Sequence, residues 1–137
     1  GAVPRLVGAR LGDYVAATGE KFAADATMEN SPGMLFDALV LPDGEAAAEA
    51  LAADAHTLEF LRLQYWHCKP ILAFGASEAL LADGQIPMTM VNGEADPALV
   101  LADAAGADGA IADFIATLGQ PRQFGRENDP PRKGTVP

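Results

Sequence analysis

The sequence predicts an α/β domain, a mostly parallel sheet with helices on both faces. Three observations lead there. Short, mostly apolar runs such as Phe36-Asp37-Ala38-Leu39-Val40-Leu41 and Ile71-Leu72-Ala73-Phe74 suit strands buried on both faces, as in parallel sheets. Stretches with apolar residues at three- and four-residue spacing alternate with these runs. Finally, half of the 137 residues are hydrophobic and a fifth are charged, the balance of a chain that buries a core.

The elements follow in order. Ala2-Val3-Pro4-Arg5-Leu6-Val7-Gly8-Ala9 reads as an alternating strand, which Pro4 confines to an edge or to its first residues. Gly12 and Asp13 are expected to close it with a turn. Residues 21–27 form a shorter extended piece, and Asn30-Ser31-Pro32-Gly33 is a turn cluster. The run at 36–41 ends at Pro42-Asp43-Gly44, and residues 46–53 are helix-forming by composition. Asp54 is placed to cap the next helix, whose apolar face carries Leu58, Leu61, Tyr65 and Cys68. Lys69-Pro70 stops that helix ahead of the strand at 71–74. After a brief helical turn at 77–81, Met88-Thr89-Met90-Val91 and Leu99-Val100-Leu101 read as further strands. In the last helix Asp108 leads in, Ile111, Phe114, Ile115 and Leu118 form the stripe, and Gly119 ends it. The expected division is therefore a domain over 1–119 and a Pro-rich, charged arm or tail over 120–137. The chain begins directly in a strand, without the strand and helix that ordinarily open such a sheet. It is expected to lack that first strand and helix and to be the downstream part of a longer polypeptide.

Nine basic residues against nineteen acidic ones give a formal net charge of -10. Nucleic-acid and anionic-membrane surfaces need clustered Lys and Arg to replace counterions, so neither partner is expected. The one cysteine, Cys68, cannot form an internal disulfide. No apolar run approaches the roughly 20 residues that cross a bilayer, and no basic-then-apolar signal segment opens the sequence. A cytoplasmic setting is the default expectation.

In wound parallel sheets the functional loops lie at the carboxyl ends of the strands. Three loops qualify: Pro42-Asp43-Gly44-Glu45, Phe74-Gly75-Ala76-Ser77 and the segment after Leu101. The second would hold a nucleophile on a tight strand-to-helix turn with backbone N–H groups nearby. Gly75 and Ala76 have no reactive side chain, and Ser77 is expected to cap the short helix that follows. Cys68 has His67 beside it, but adjacent helical residues point about 100° apart, and a small buried hydrophobe is the expected role of Cys68. His56 and His67 are eleven positions apart, too far for a shared metal site, and are expected at the surface. Asp43 and Glu45 suit caps and helix-dipole partners better than an acid/base pair. The sequence Gly106-Ala107-Asp108-Gly109 is a turn before a helix and only a weak anion-binding signal, and no GxGxxG or P-loop is present. Met88 and Met90 are expected in core or edge packing.

With these elements in place, Phe36-Asp37-Ala38-Leu39-Val40-Leu41-Pro42-Asp43-Gly44 and His67-Cys68-Lys69-Pro70-Ile71-Leu72-Ala73-Phe74-Gly75 resemble the superfamily of PfpI-type intracellular proteases and class I glutamine amidotransferases. Active members carry a Cys-His pair after the Lys-Pro-apolar strand. Those positions here are Gly75 and Ala76, so the resemblance implies a vestigial nucleophile elbow at Gly75, Ala76 and Ser77. A longer ordered series resembles the C-terminal domain of large-subunit haem catalases over nearly the whole chain. It comprises Val3-Pro4-Arg5-Leu6-Val7, Asp37-Ala38-Leu39-Val40-Leu41-Pro42, His67-Cys68-Lys69-Pro70-Ile71 and the last helix with Gln123-Phe124-Gly125-Arg126-Glu127. That resemblance implies a flavodoxin-like fold and no catalytic, cofactor-binding or metal-ligating residue in this chain. It places the haem and the hydrogen-peroxide chemistry in an upstream domain of a parent catalase. This domain would pack on the haem domain in a homo-oligomer, a tetramer, supporting stability and assembly with a chaperone-like role in addition. The alternative is a free-standing PfpI-like hydrolase or thiol redox protein using Cys68.

Overall fold

In the computed structural model, residues 1–120 and 122–128 are described, and the chain divides into two units, Gly1–Pro32 and Gly33–Pro137. The first holds four short strands. β1 (Val7–Gly8) pairs in parallel with β4 (Ala26–Thr27), and β2 (Gly12–Val15) pairs antiparallel with β3 (Lys21–Ala24). Tyr14 faces Phe22 across the β2–β3 ladder, their rings stacked at 5.9 Å. The Tyr14 hydroxyl also accepts the Arg10 N–H at 3.0 Å and donates to the Arg10 carbonyl at 2.9 Å. Those bonds fix a bend at residues 9–11, so the turn falls before Gly12, which opens β2 at φ +111° instead of closing a strand. The strand expected over 2–9 is correspondingly reduced to β1.

From Gly33 the order is a 3-10 turn (Gly33–Leu35), β5 (Leu39–Leu41), α1 (Glu45–Ala53), α2 (Thr57–Trp66), β6 (Ile71–Phe74), a second 3-10 turn (Gly75–Ser77), α3 (Glu78–Asp83), β7 (Leu99–Ala102), α4 (Ala107–Leu118) and a third 3-10 turn (Phe124–Asn128). The strands form one parallel sheet in the order β5-β6-β7, with Leu39 opposite Ile71 and Ile71 opposite Leu99. Alternation sorts its residues between two cores. Leu41, Ile71 and Ala73 pack with Leu61 and Tyr65 of α2 and with Leu80 and Leu81 of α3. Leu72 points the other way, against Ala110 and Phe114 of α4. Helices on both faces of a mostly parallel sheet are thus present as the sequence led one to expect.

Three details differ. Met88–Val91 is no strand; a single bridge, Thr89 to Ala95, is all the pairing there. On α4, Ile111 and Ile115 face solvent while Ala110 and Phe114 are buried. Only the Phe114 side of the expected stripe meets the sheet. Asp54 does not cap α2, which starts at Thr57. Its carboxylate instead accepts the His56 backbone N–H at 2.8 Å and lies 3.2 Å from His56 Nδ1.

The amino ends of the parallel strands are tied by buried polar groups. Gln64 donates to the Gly33 carbonyl and, at 3.2 Å, to the Phe36 carbonyl. Lys69 Nζ donates to the Met34 carbonyl and, at 2.5 Å, to the Phe36 carbonyl. Arg126, within the segment expected to be an arm, is inserted between its partners: Nε to Asp96 Oδ2 at 2.6 Å, Nη1 to the Lys69 carbonyl at 2.6 Å, and the guanidinium 4.5 Å over the Tyr65 ring. The Pro-rich stretch 129–134 lies outside the described residues. Among the described residues no helix is long and apolar enough to cross a membrane.

Candidate functional site

The carboxyl ends of β5 and β6 bring two of the three expected loops together. β6 ends in extended backbone at Phe74, and the chain then turns sharply at Gly75, whose φ is +50°. L-residues with a side chain seldom adopt that conformation, and glycine does so freely. The turn leads through Ala76 and Ser77 into α3, which is the strand–turn–helix course that exposes a side chain at the top of a sheet.

The space above Gly75 is occupied from the β5 loop. A Cβ built on Gly75 would lie 2.6 Å from the Asp43 carboxyl carbon and against its Oδ1. Asp43 Oδ1 accepts the Ala76 N–H at 3.2 Å and the Gly44 N–H at 2.7 Å. An N–H that could hold a developing oxyanion is therefore used to hold a carboxylate of the protein itself. Ser77 is fully buried at the first position before α3, but its hydroxyl makes no cap. It donates across to the Pro42 carbonyl, so its expected capping role is replaced by a tie between the β5 and β6 loops. Glu45, the other acid of the first loop, is exposed and opens α1, where a negative charge meets the helix dipole.

The third loop follows β7. There Asp103 Oδ1 accepts the Gly106 N–H at 2.8 Å, ahead of α4. The donor at the start of Gly106–Gly109 is thus engaged within its own loop.

The other chemically able residues lie apart from these loops. Cys68 sits beyond the end of α2 in left-handed backbone at φ +57°, with only 2% of its surface exposed. Its Sγ lies 3.9 Å from the Trp66 carbonyl oxygen. His56 and His67 flank the two ends of α2 and are exposed. Among the described residues no group of three or more His, Cys, Asp or Glu is arranged to hold a metal ion. Tyr65 lies beneath the Arg126 guanidinium and in the core cluster with Leu61, Ile71 and Leu80.

Two features escape sequence reasoning. Asp43 was legible as a cap but not as the occupant of the Gly75 turn, because its target lies 33 positions away. Lys69 was read as a helix stop, yet it is buried. Burial lowers its pKa from the ordinary 10.5; the nearby Arg122 adds to that, and Asp37 opposes it. A lysine two positions before a wholly apolar strand is the signal the sequence offers.

The comparisons with known proteins agree with this geometry. Residues 2–128 match the model of the C-terminal domain found in long catalases. Among curated proteins, the chain is 32% identical over 123 residues to Catalase C of Rhizobium meliloti, covering 89% of this chain and 16% of that protein. It is 27% identical over 148 residues to Catalase-1 of Neurospora crassa, covering 93% and 20%. It is 30% identical over 101 residues to Catalase HPII of Pseudomonas aeruginosa, covering 74% and 13%. The chain thus spans a fifth or less of the length of these relatives. Among solved structures, a ThiJ/PfpI domain protein from Brachyspira murdochii superposes with a TM-score of 0.69 at 16% identity, covering 85% of this chain and 80% of that one. A DJ-1 superfamily protein from Salmonella typhimurium gives 0.61 at 21% identity, covering 90% and 78%. At such identities these likenesses establish the fold.

Proposed function

The chain belongs to the family of C-terminal domains found in long catalases, and on that premise we propose that it is a non-catalytic accessory domain of a hydrogen-peroxide-degrading haem catalase, acting in stability and assembly. The observation that carries the reading is the turn at Gly75. Its backbone course is that of a nucleophile elbow, yet it holds no nucleophile, and the Asp43 carboxylate fills the space a side chain would need. A hydrolase or a thiol enzyme built on this chain would need a reactive group at that turn or an accessible Cys68. Gly75 offers none, and Cys68 is buried.

The mechanism is burial of surface against the remainder of the polypeptide. Interfaces between domains of one chain bury about 600–1,500 Å², and exposed apolar side chains are available for it: Ile111 and Ile115 on α4, and Phe124 on the third 3-10 turn. The haem and its ligands belong, in this reading, to the preceding part of the polypeptide. The assembled state is a cytoplasmic tetramer to which this domain adds contacts.

Deleting this domain from the full-length protein is the test. Thermal stability and the tetramer should both weaken, while haem absorption and peroxide turnover persist at temperatures where the truncated protein is folded. Loss of turnover in a folded, haem-loaded truncation would refute the accessory role.

A further inference from the structure

Met90 sits at the base of a tight hairpin that its own backbone closes. Its N–H donates to the Glu94 carbonyl at 2.8 Å, and its carbonyl accepts the Gly93 N–H at 2.8 Å. Gly93 turns the chain at φ +83°. Asn92 donates to the Glu94 carboxylate at 2.9 Å and accepts the Glu94 N–H at 3.0 Å, and a bridge from Thr89 to Ala95 flanks the turn. The Met90 backbone is therefore held in place. Its half-buried side chain meets the segment that carries Arg126. Gln123 Nε2 donates to Met90 Sδ at 3.1 Å, and a Cβ built on Gly125 would fall on the Met90 methyl. The third 3-10 turn thus rests on a thioether.

We propose that Met90 is a site of oxidation by hydrogen peroxide, and that its sulfoxide releases the turn carrying Arg126 from the hairpin. A lone pair of Sδ attacks one peroxide oxygen as the O–O bond breaks. The transferred oxygen passes its proton to the departing hydroxide, which leaves as water; sulfur is oxidised and peroxide reduced. The proposed function enters only as the source of peroxide. The site itself stands on contacts within this chain.

A thioether is apolar and a weak acceptor, whereas a sulfoxide is polar, larger and in need of donors. The hairpin is closed by its own bonds, so the turn is the side that moves. Polar groups hold that turn: the Gln123 N–H on the Cys68 carbonyl at 3.1 Å, Arg126 Nε on Asp96 and Nη1 on the Lys69 carbonyl. Arg126 Nη2 is buried with no hydrogen-bond partner among the described residues. Water admitted by the moving turn satisfies it, which lowers the cost of opening. Met34 and Met88 also carry sulfur, but they are 43% and 47% exposed, and oxidation there sets the new oxygen in solvent. They serve as internal controls.

The test is peptide mapping of the folded 137-residue chain during timed exposure to hydrogen peroxide, followed by amide hydrogen exchange. Oxidation of Met90 should speed exchange of the Gln123 and Arg126 amides by at least about tenfold. The change should keep step with the Met90 sulfoxide and not with those of Met34 and Met88. Methionine sulfoxide reductases A and B should restore slow exchange. Met90→Leu, which cannot take up oxygen, should show one rate before and after peroxide. The double variant Met34→Leu/Met88→Leu should respond as the wild type does, and it decides alone if Met90→Leu does not fold. Slow exchange with Met90 fully oxidised would overturn the inference. So would acceleration in folded Met90→Leu, a double variant that no longer responds, or a Met90 still reduced once Met34 and Met88 are oxidised. These readings need no haem domain, so they stand or fall apart from the deletion that tests the accessory role.

Discussion

At Gly75 two requirements meet in one residue: a left-handed backbone at φ +50° and room for the Asp43 carboxylate. Any side chain there incurs the left-handed penalty of about 1–2 kcal/mol and must also displace Asp43. Gly75→Ala should therefore destabilise the chain by roughly 2–3 kcal/mol in urea unfolding. Asp43→Ala in the same background should return part of that loss, because the displaced carboxylate is gone. Strict additivity of the two substitutions would show that they do not share the site. Lys69 makes a different prediction, in pH. Its folded pKa lies below 10.5, chiefly through burial, so between the two values the unfolded chain binds more protons than the folded one. Stability contributed by this residue then rises with pH across that window. The difference in unfolding free energy between the wild type and Lys69→Met should accordingly grow as pH climbs toward 10.5. A difference that shrinks would mean the buried ammonium is favoured by its carbonyl partners.

Among the elements, the third 3-10 turn depends most on one side chain. Arg126 and Asp96 both have side chains about 1% exposed, and they meet at 2.6 Å. Removing one partner of such a pair strands a buried charge and costs about 3–5 kcal/mol. Arg126→Met should show that loss, and adding Asp96→Asn should recover some of it, since Asn can still accept the Ala98 N–H that Asp96 Oδ1 now accepts at 2.9 Å. A double-mutant cycle by chemical denaturation measures the coupling, and a coupling near zero would refute it. This contact also shows where sequence reading stops. The strands at 39–41, 71–74 and 99–102 were legible because short apolar runs between turn residues have few other uses. Arg126 was visible as part of an ordered series, but its partner lies 30 positions away and no local pattern announces it. Met88–Val91 alternates as a strand would, yet the chain brings only Ala95 opposite it. Periodicity on α4 marked an apolar stripe without telling which side of it the sheet would cover. The Gly75 turn was legible as an absence, whereas its closure by Asp43 needed coordinates.

The whole chain is unevenly provided with core. Residues 33–137 contain two apolar clusters, one on each face of a three-stranded sheet. Residues 1–32 contain two two-stranded pairings, and Ala24 is the one buried apolar residue among them. Two-stranded ribbons are marginal in water because they exclude little apolar surface, so the two units should differ in their resistance to local opening. Limited proteolysis should cut first within 1–32 and leave a fragment beginning near Gly33. That fragment should still unfold in one cooperative transition by circular dichroism, whereas an isolated peptide of residues 1–32 should show none. If the protease entered 33–137 as readily as 1–32, the apolar clusters would not be setting local stability.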